Sequence, residues 1–122
     1  MSGKSKAICE TNISVTTDGS GNASQDSDAP IYGQIMAIGF TKDTVNGGTT
    51  AVVTTKNAPI QSLDSYNVNT GNAMRYVRAA VQGSSAGDNK WCPIIVADTI
   101  NVAVTSGAAS KHFLVTIYYI PL

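Results

Sequence analysis

The sequence predicts an all-β protein, a β-sandwich of jelly-roll type with seven or eight strands, and three observations carry that expectation. First, over residues 99–120 (TINVAVTSGAASKHFLVTIYYI), Ile100, Val102 and Val104 alternate with polar or small neighbours. Beyond a Ser-Gly-Ala-Ala-Ser break, Phe113, Val115, Ile117 and Tyr119 alternate again. A side-chain period of two belongs to strands, so the pair reads as a β-hairpin. Second, the polar share of the chain is carried by Thr, Ser, Asn and Gly, which favour strands and tight turns over solvated helices. Third, alternating stretches recur every 8–14 residues or so, the rhythm of sandwiches and jelly rolls. Residues 1–17 form an N-terminal arm or first strand, and 18–122 a single sandwich domain.

In chain order, AICETNISVTT (7–17) alternates weakly through Ile13 and Val15. DGSGNASQDSDAP (18–30) reads as a long polar loop closed by Pro30. IYGQIMAIGFT (31–41) is apolar on both faces, with Tyr32, Met36, Ile38 and Phe40 on one side and Ile31, Ile35 and Ala37 on the other. That pattern predicts a central strand. KDTVNGG (42–48) holds the hairpin signal Asn46-Gly47-Gly48 and leads into the β-branched run TTAVVTTK (49–56), so these two strands are expected to pair. NAPIQSLDSYNVNTGN (57–72) mixes isolated apolar residues with turn formers, a loop with one short strand or helical turn. AMRYVRAAVQ (73–82) fits helical spacing through Met74, Val77 and Val81 and also alternates; the Gly-rich turns around it favour a strand. GSSAGDN (83–89) is a turn, and KWCPIIVA (90–97) a short strand that Pro93 confines to an edge or a bulge. The last strand runs to within two residues of Leu122, so no tail, anchor or address is expected after it.

With 122 residues the chain has room for one modest core. Eight basic and eight acidic residues cancel, and charged residues make up 13% against an ordinary ~25%. A nucleic-acid partner requires a surplus of Lys and Arg, which is lacking. The N-terminus has no apolar signal region, and no stretch reaches the ~18 apolar residues of a membrane helix, so neither membrane nor secretion is expected. Cys9 and Cys92 are too few for a disulfide framework, and two thiols in a reducing cytoplasm are expected.

Chemistry-bearing patterns are sparse. His112 is the single histidine, and a catalytic triad would need a nucleophile and a carboxylate to converge on it. A surface or interface histidine is the expectation. Asp18, Ser20 and Asn22 place oxygens at positions 1, 3 and 5 of a calcium-loop pattern, but Ala23 and Ala29 stand where glycine and glutamate belong, so a solvated turn is expected. No cofactor, metal or enzymatic activity is predicted. Tyr32, Tyr66, Tyr76, Trp91, Tyr118 and Tyr119 raise carbohydrate stacking, against simple burial for most of them. Tyr118 and Tyr119 cannot both face the core of a one-sided strand, so one of them offers an aromatic to a partner.

The order of these segments resembles small capsid decoration, or cement, proteins of tailed bacteriophages. The likeness rests on Gly33, Ile35, Ala37 and Ile38 before a Thr-rich strand, then Ile100, Val102, Val104 and Gly107, then Val115, Ile117, Tyr118 and Tyr119. It spans residues 15–120; Arg75-Tyr76-Val77-Arg78 departs from the aromatic-Pro-Arg segment of that group. The resemblance implies a β-sandwich on the capsid surface of a virion, assembled in the host cytoplasm as a homotrimer, whose partners are the major capsid protein and its own copies. The expected contact residues are Ile13, Val15, Tyr76, Trp91, Tyr118 and Tyr119. The alternatives are a receptor- or glycan-binding module of a head or tail fibre, and a head–tail connector or tail subunit.

Overall fold

The computed structural model describes residues 7–57, 59–80 and 91–122. Eleven strand segments and one 3₁₀ turn (Val68–Thr70) make up its regular structure. Sheet A contains β1 (Cys9–Thr16), β11 (His112–Pro121), β3 (Ile31–Lys42) and β6 (Ala73–Tyr76) in that order, with β9 (Ile94–Asp98) also on β3. Sheet B runs β2 (Ala23–Asp26), β10 (Ile100–Val104), β4 (Thr50–Thr55), β5 (Ser62–Asn67). A two-residue ladder joins β7 (Ala79–Ala80) to β8 (Trp91–Cys92). Every pairing is antiparallel.

The pairings nest. β1 pairs with β11, β2 with β10, β3 with β6 and β9, and β4 with β5, as if one long hairpin had been rolled until β11 met β3 and β10 met β4. β6 covers Ala37–Phe40 of β3 and β9 covers Ile31–Ile35, so the two share one strand position. The two sheets thus hold eight strand positions.

β3 carries the key irregularity. Tyr118 pairs with Ala37 and Tyr119 with Ile35, which leaves Met36 unpaired in a bulge. An extra residue reverses the side-chain alternation beyond it. Ile31 and Ile35 before the bulge and Ile38 and Phe40 after it therefore face the same core. The strand is central, as its sequence predicts, but it is not buried on both faces: Tyr32 is 58% exposed.

Both predicted hairpins are crossovers between sheets. β10 lies in sheet B and β11 in sheet A, and β3 and β4 divide the same way. The loop after β10 is stitched to the one after β1: Gly107 N–H donates to Gly21 C=O (2.8 Å), Ser110 N–H to Asp18 C=O (2.9 Å) and Ser106 N–H to Asn22 Oδ1 (2.8 Å). The loop after β3 is anchored by Val45, buried in the core, and by Thr49 Oγ1, which accepts from Ala108 N–H (3.0 Å). Alternation identifies a strand; its partner depends on where the loop side chains are buried.

The predicted loop 18–30 contains β2, an edge strand too polar to reveal itself by apolar alternation. The segment 57–72 holds one short strand and one 3₁₀ turn, and 73–82 begins as a strand. The predicted turn 83–89 lies outside the described residues. The core between the sheets is built of Ile, Val and two phenylalanines, with Phe40, Phe113, Ile13, Ile38, Ile100 and Ile117 among its fully buried members. Close packing of such side chains accounts for most of the stability of a small sandwich.

Candidate interaction surface

The register fixes what each sheet shows to solvent. Phe113, Val115, Ile117 and Tyr119 of β11 turn inward, so Leu114, Thr116, Tyr118 and Ile120 turn outward. Across the strands, one outer row reads Tyr76, Ala37, Tyr118, Glu10 and the next reads Met74, Gly39, Thr116, Asn12. Beyond the bulge, Tyr32 pairs with Ala97 and Gln34 with Ile95 on the same outer side. Of the large apolar residues exposed here, Tyr76 is at 76%, Ile95 at 50% and Met74 at 47%. In these rows Glu10 is the single charge.

Small residues on β3 shape this face. A Cβ added at Gly39 would meet Tyr118 Cε2 at 3.4 Å and Met74 Cε at 3.9 Å, so both side chains fold over the glycine. Ala37, under the neighbouring tyrosines, is 4% exposed although it points away from the core. The result is a flat aromatic and thioether surface, with Tyr76 standing proud at its β6 edge.

The expected contact residues divide. Tyr76 and Tyr118 lie on this face, whereas Tyr119 packs inward against the core. Ile13 and Val15 are 2% and 0% exposed within the chain's own core, and β1 is zipped to β11 over Cys9–Thr16, so these two side chains cannot meet a partner. The alternation that nominated them is that of an inward row. Trp91 lies in β8, and its side chain is outside the described residues. Met74, Ile95, Leu114 and Ile120 join the face unforeseen; Leu114 and Ile120 follow from the alternation of β11, whereas setting Ile95 on the same side as Met74 requires the bulge at Met36, which no sequence motif marks.

The outer face of sheet B is different in kind. Its rows read Ser24, Ala103, Val52, Ser65 and Asp26, Asn101, Thr54, Ser62. Asn101 Nδ2 donates to Ser24 Oγ (3.0 Å) and Asp26 Oδ1 (2.9 Å), and Lys56 bridges to Asp26. The Lys56 hydrogen bond, helped by Asn101, holds the Asp26 carboxyl below its ordinary pKa. These groups satisfy one another, and water covers them at little cost.

Two polar clusters touch on predicted chemistry. The Asp18 carboxylate accepts the Asn22 and Ser20 amides (3.0 and 2.8 Å), which lower its pKa, so the suspected calcium loop is a turn closed on its own backbone. Among the described residues no three His, Cys, Asp or Glu side chains gather as a metal site. His112 does gain a hydroxyl and a carboxylate: Nε2 lies 2.5 Å from Ser14 Oγ and Nδ1 lies 2.8 Å from Asp43 Oδ2. In an acyl-transfer triad the carboxylate is buried and the serine opens onto a substrate cleft. Here the Asp43 side chain is 59% exposed, and the clefts beside Tyr76–Arg78 and beside Asn57–Asp98 do not include the cluster. The relay ties β1, β11 and the loop after β3 together.

Two clefts flank Tyr76–Arg78. One of about 390 Å³ is bounded by Asp64 and Arg75, the other of about 460 Å³ by Gln34, Met36 and Pro93. In the first, Arg75 grips Asp64 of the opposite sheet (Nε–Oδ2 2.5 Å, Nη2–Oδ1 3.1 Å) and lies 5.0 Å from the Tyr66 ring centre. Comparison with known proteins brings no match: no family model, no curated protein and no solved structure is similar to this chain.

Proposed function

We propose that this chain is a structural subunit of a tailed-phage virion that decorates and cements the capsid. The outer face of sheet A is its contact surface for the major capsid protein and for further copies of itself, assembled as a trimer. The observation that carries this reading is the inequality of the two outer faces, one nearly uncharged and aromatic, the other polar and internally satisfied. Four strand positions about 19 Å across and some 33 Å long give sheet A an outer face on the order of 600 Å² in plan. With side-chain relief that approaches the ~800 Å² per partner of a standard interface. The nested strand order supports the jelly-roll reading, an architecture common among capsid and lectin domains. Such a role asks for buried area and shape, and for no catalytic residue or cofactor.

A second reading, a glycan-binding module of a fibre, is favoured by one observation: exposed Tyr76 stands between two clefts and offers a ring for a sugar to stack on. One experiment separates them. Sedimentation at micromolar concentration is expected to give an oligomer for the wild type and a folded species of smaller mass for Tyr118→Asp, and the variant is expected to lose binding to capsids assembled without the protein. A wild-type monomer whose capsid binding survives Tyr118→Asp overturns the proposal; glycan binding lost on Tyr76→Ala then moves the fibre reading ahead.

A further inference from the structure

We propose that β1 is a docking strand for β1 of a second copy of this chain, the two running antiparallel about a two-fold axis. Among the described residues, β1 ends sheet A and pairs only with β11. The Thr17 N–H donates to Lys111 C=O at 2.8 Å, which fixes the phase of that ladder: odd residues from Cys9 to Thr17 exchange their main-chain bonds with β11. The N–H and C=O groups of Glu10, Asn12 and Ser14 therefore aim at the open edge, and among the described residues nothing meets them.

The remaining edges are protected in ways proteins ordinarily use. β2 and β6 are four residues each, and β9 is five with Pro93 before it. β5 is broken by a bulge at Leu63 and tied to β6 by the Arg75–Asp64 pair. β1, by contrast, is eight residues without proline, bulge, lysine or arginine, and Glu10 is its one charge. It is the one long open edge of the described sheets, so the matching edge on another copy is β1 itself, and the contact is isologous.

Centring the two-fold on Asn12 sets Asn12 opposite Asn12 and Glu10 opposite Ser14, so no like charges face each other. About six main-chain hydrogen bonds close that ladder. Two of the side chains beside it are already held, Asn12 Oδ1 by the Thr116 hydroxyl (2.8 Å) and Ser14 Oγ by His112 (2.5 Å), which reduces the ordering cost of docking. The joined strands make the two outer faces of sheet A continuous. The contact uses the strand edge and not the Tyr118 row, so it extends the assembly reading above and is separable from it.

The test uses the full chain with Cys9→Ser and Cys92→Ser, so that no native thiol competes. Asn12→Cys places thiols on facing residues about 5.5 Å apart between Cα atoms, within disulfide reach. Mild oxidation is expected to give a covalent dimer with the bridge mapped to position 12, while Thr54→Cys on the outer face of sheet B gives none. Adding Tyr118→Asp is expected to leave the bridge in place, which separates the edge contact from the face contact. Adding Glu10→Pro removes an N–H that the intrachain ladder does not use; it is expected to cut the cross-linked yield at least tenfold with an unchanged circular dichroism spectrum, and Glu10→Ala to preserve it. Cross-linking at position 12 no better than at position 54, or undiminished by Glu10→Pro, overturns the proposal. So does amide exchange at Glu10, Asn12 and Ser14 that is independent of protein concentration.

Discussion

The two outer faces of this sandwich are built on the same strand chemistry and reach opposite surfaces. Sheet B turns out mostly Thr, Ser, Asn and Asp, and Asn101 of β10 bonds Ser24 and Asp26 of β2. Sheet A turns out tyrosines, methionine and isoleucine over a floor of Ala37 and Gly39. Isolated apolar residues on a surface need no explanation, but contiguous rows of them mark contact sites. Under the proposed assembly, sheet A is the face that a partner completes, and the polar face of sheet B needs none.

The sharpest way to break that contrast lies in two adjacent tyrosines. Tyr119 faces the core and Tyr118 the outer row. Tyr119→Asp puts a carboxylate against buried apolar side chains and is expected to cost about 3–5 kcal/mol of folding stability, read as a melt shifted down by more than about 10 °C. Tyr118→Asp is expected to keep the melting temperature within a few degrees and to weaken self-association about a hundredfold. If both variants lose stability equally, Tyr118 is a core residue and the asymmetry of the faces disappears.

The same pair shows how far the sequence could be read. That one tyrosine must face outward follows from alternation alone, and so do β1, β3, β4, β10 and β11 as strands in an all-β chain. Which one faces outward follows from extending the Phe113, Val115, Ile117 row to Tyr119; which residues of β6 and β9 join Tyr118 on the outer face depends on the bulge at Met36, a residue with nothing in its neighbourhood to announce it. The predicted hairpins fail for a related reason. Asn46-Gly47-Gly48 is a good turn, but Val45 beside it is buried, and a loop that buries a side chain between sheets cannot also fold its strands back on each other. Ile13 and Val15 were legible as an apolar row and illegible as core, because one row of a half-buried strand looks the same whether it meets its own domain or a neighbour's. The Ser14–His112–Asp43 relay joins residues 98 and 69 positions apart, beyond any local pattern.

A second, smaller effect tests the seam that holds both faces in place. Gly21 sits at φ +79°, and a Cβ there would lie 1.9 Å from Gly107 C=O. Gly21→Ala must therefore separate the two crossover loops and adopt a left-handed backbone, at a cost of about 2–3 kcal/mol. Gly19→Ala, two residues away in open space, is expected to cost under about 1 kcal/mol. Chemical denaturation of the two variants checks this, and equal midpoints would remove the seam from the account.

His112→Ala comes next. It releases Ser14 and Asp43 at the rim of sheet A, a change expected to cost about 1 kcal/mol or less, with self-association retained. An active-site serine probe is expected to label Ser14 no faster than other exposed serines. Rapid labelling abolished by His112→Ala would instead make the relay a nucleophile.

The smallest effect separates the faces by pH. Asp26 on the outer face of sheet B is held below its ordinary value of 3.8, chiefly by the Lys56 hydrogen bond, and Asp98 at the end of β9 is lowered chiefly by the Asn57 backbone amide. A carboxylate with a lower pKa in the folded than in the unfolded chain stabilises the fold at every pH above the unfolded value. That contribution is lost as pH falls below about 4 and through the folded value. Acid therefore loosens β2 first, where Lys56 and Asn101 let go of Asp26, while the Tyr76–Ala37–Tyr118 row, which has no carboxylate before Glu10, keeps its packing. Amide exchange at pH 3 is expected to rise in β2 relative to β11, and Asp26→Asn is expected to flatten that part of the pH dependence. Equal loosening of both sheets would mean that the polar face owes nothing to its charges.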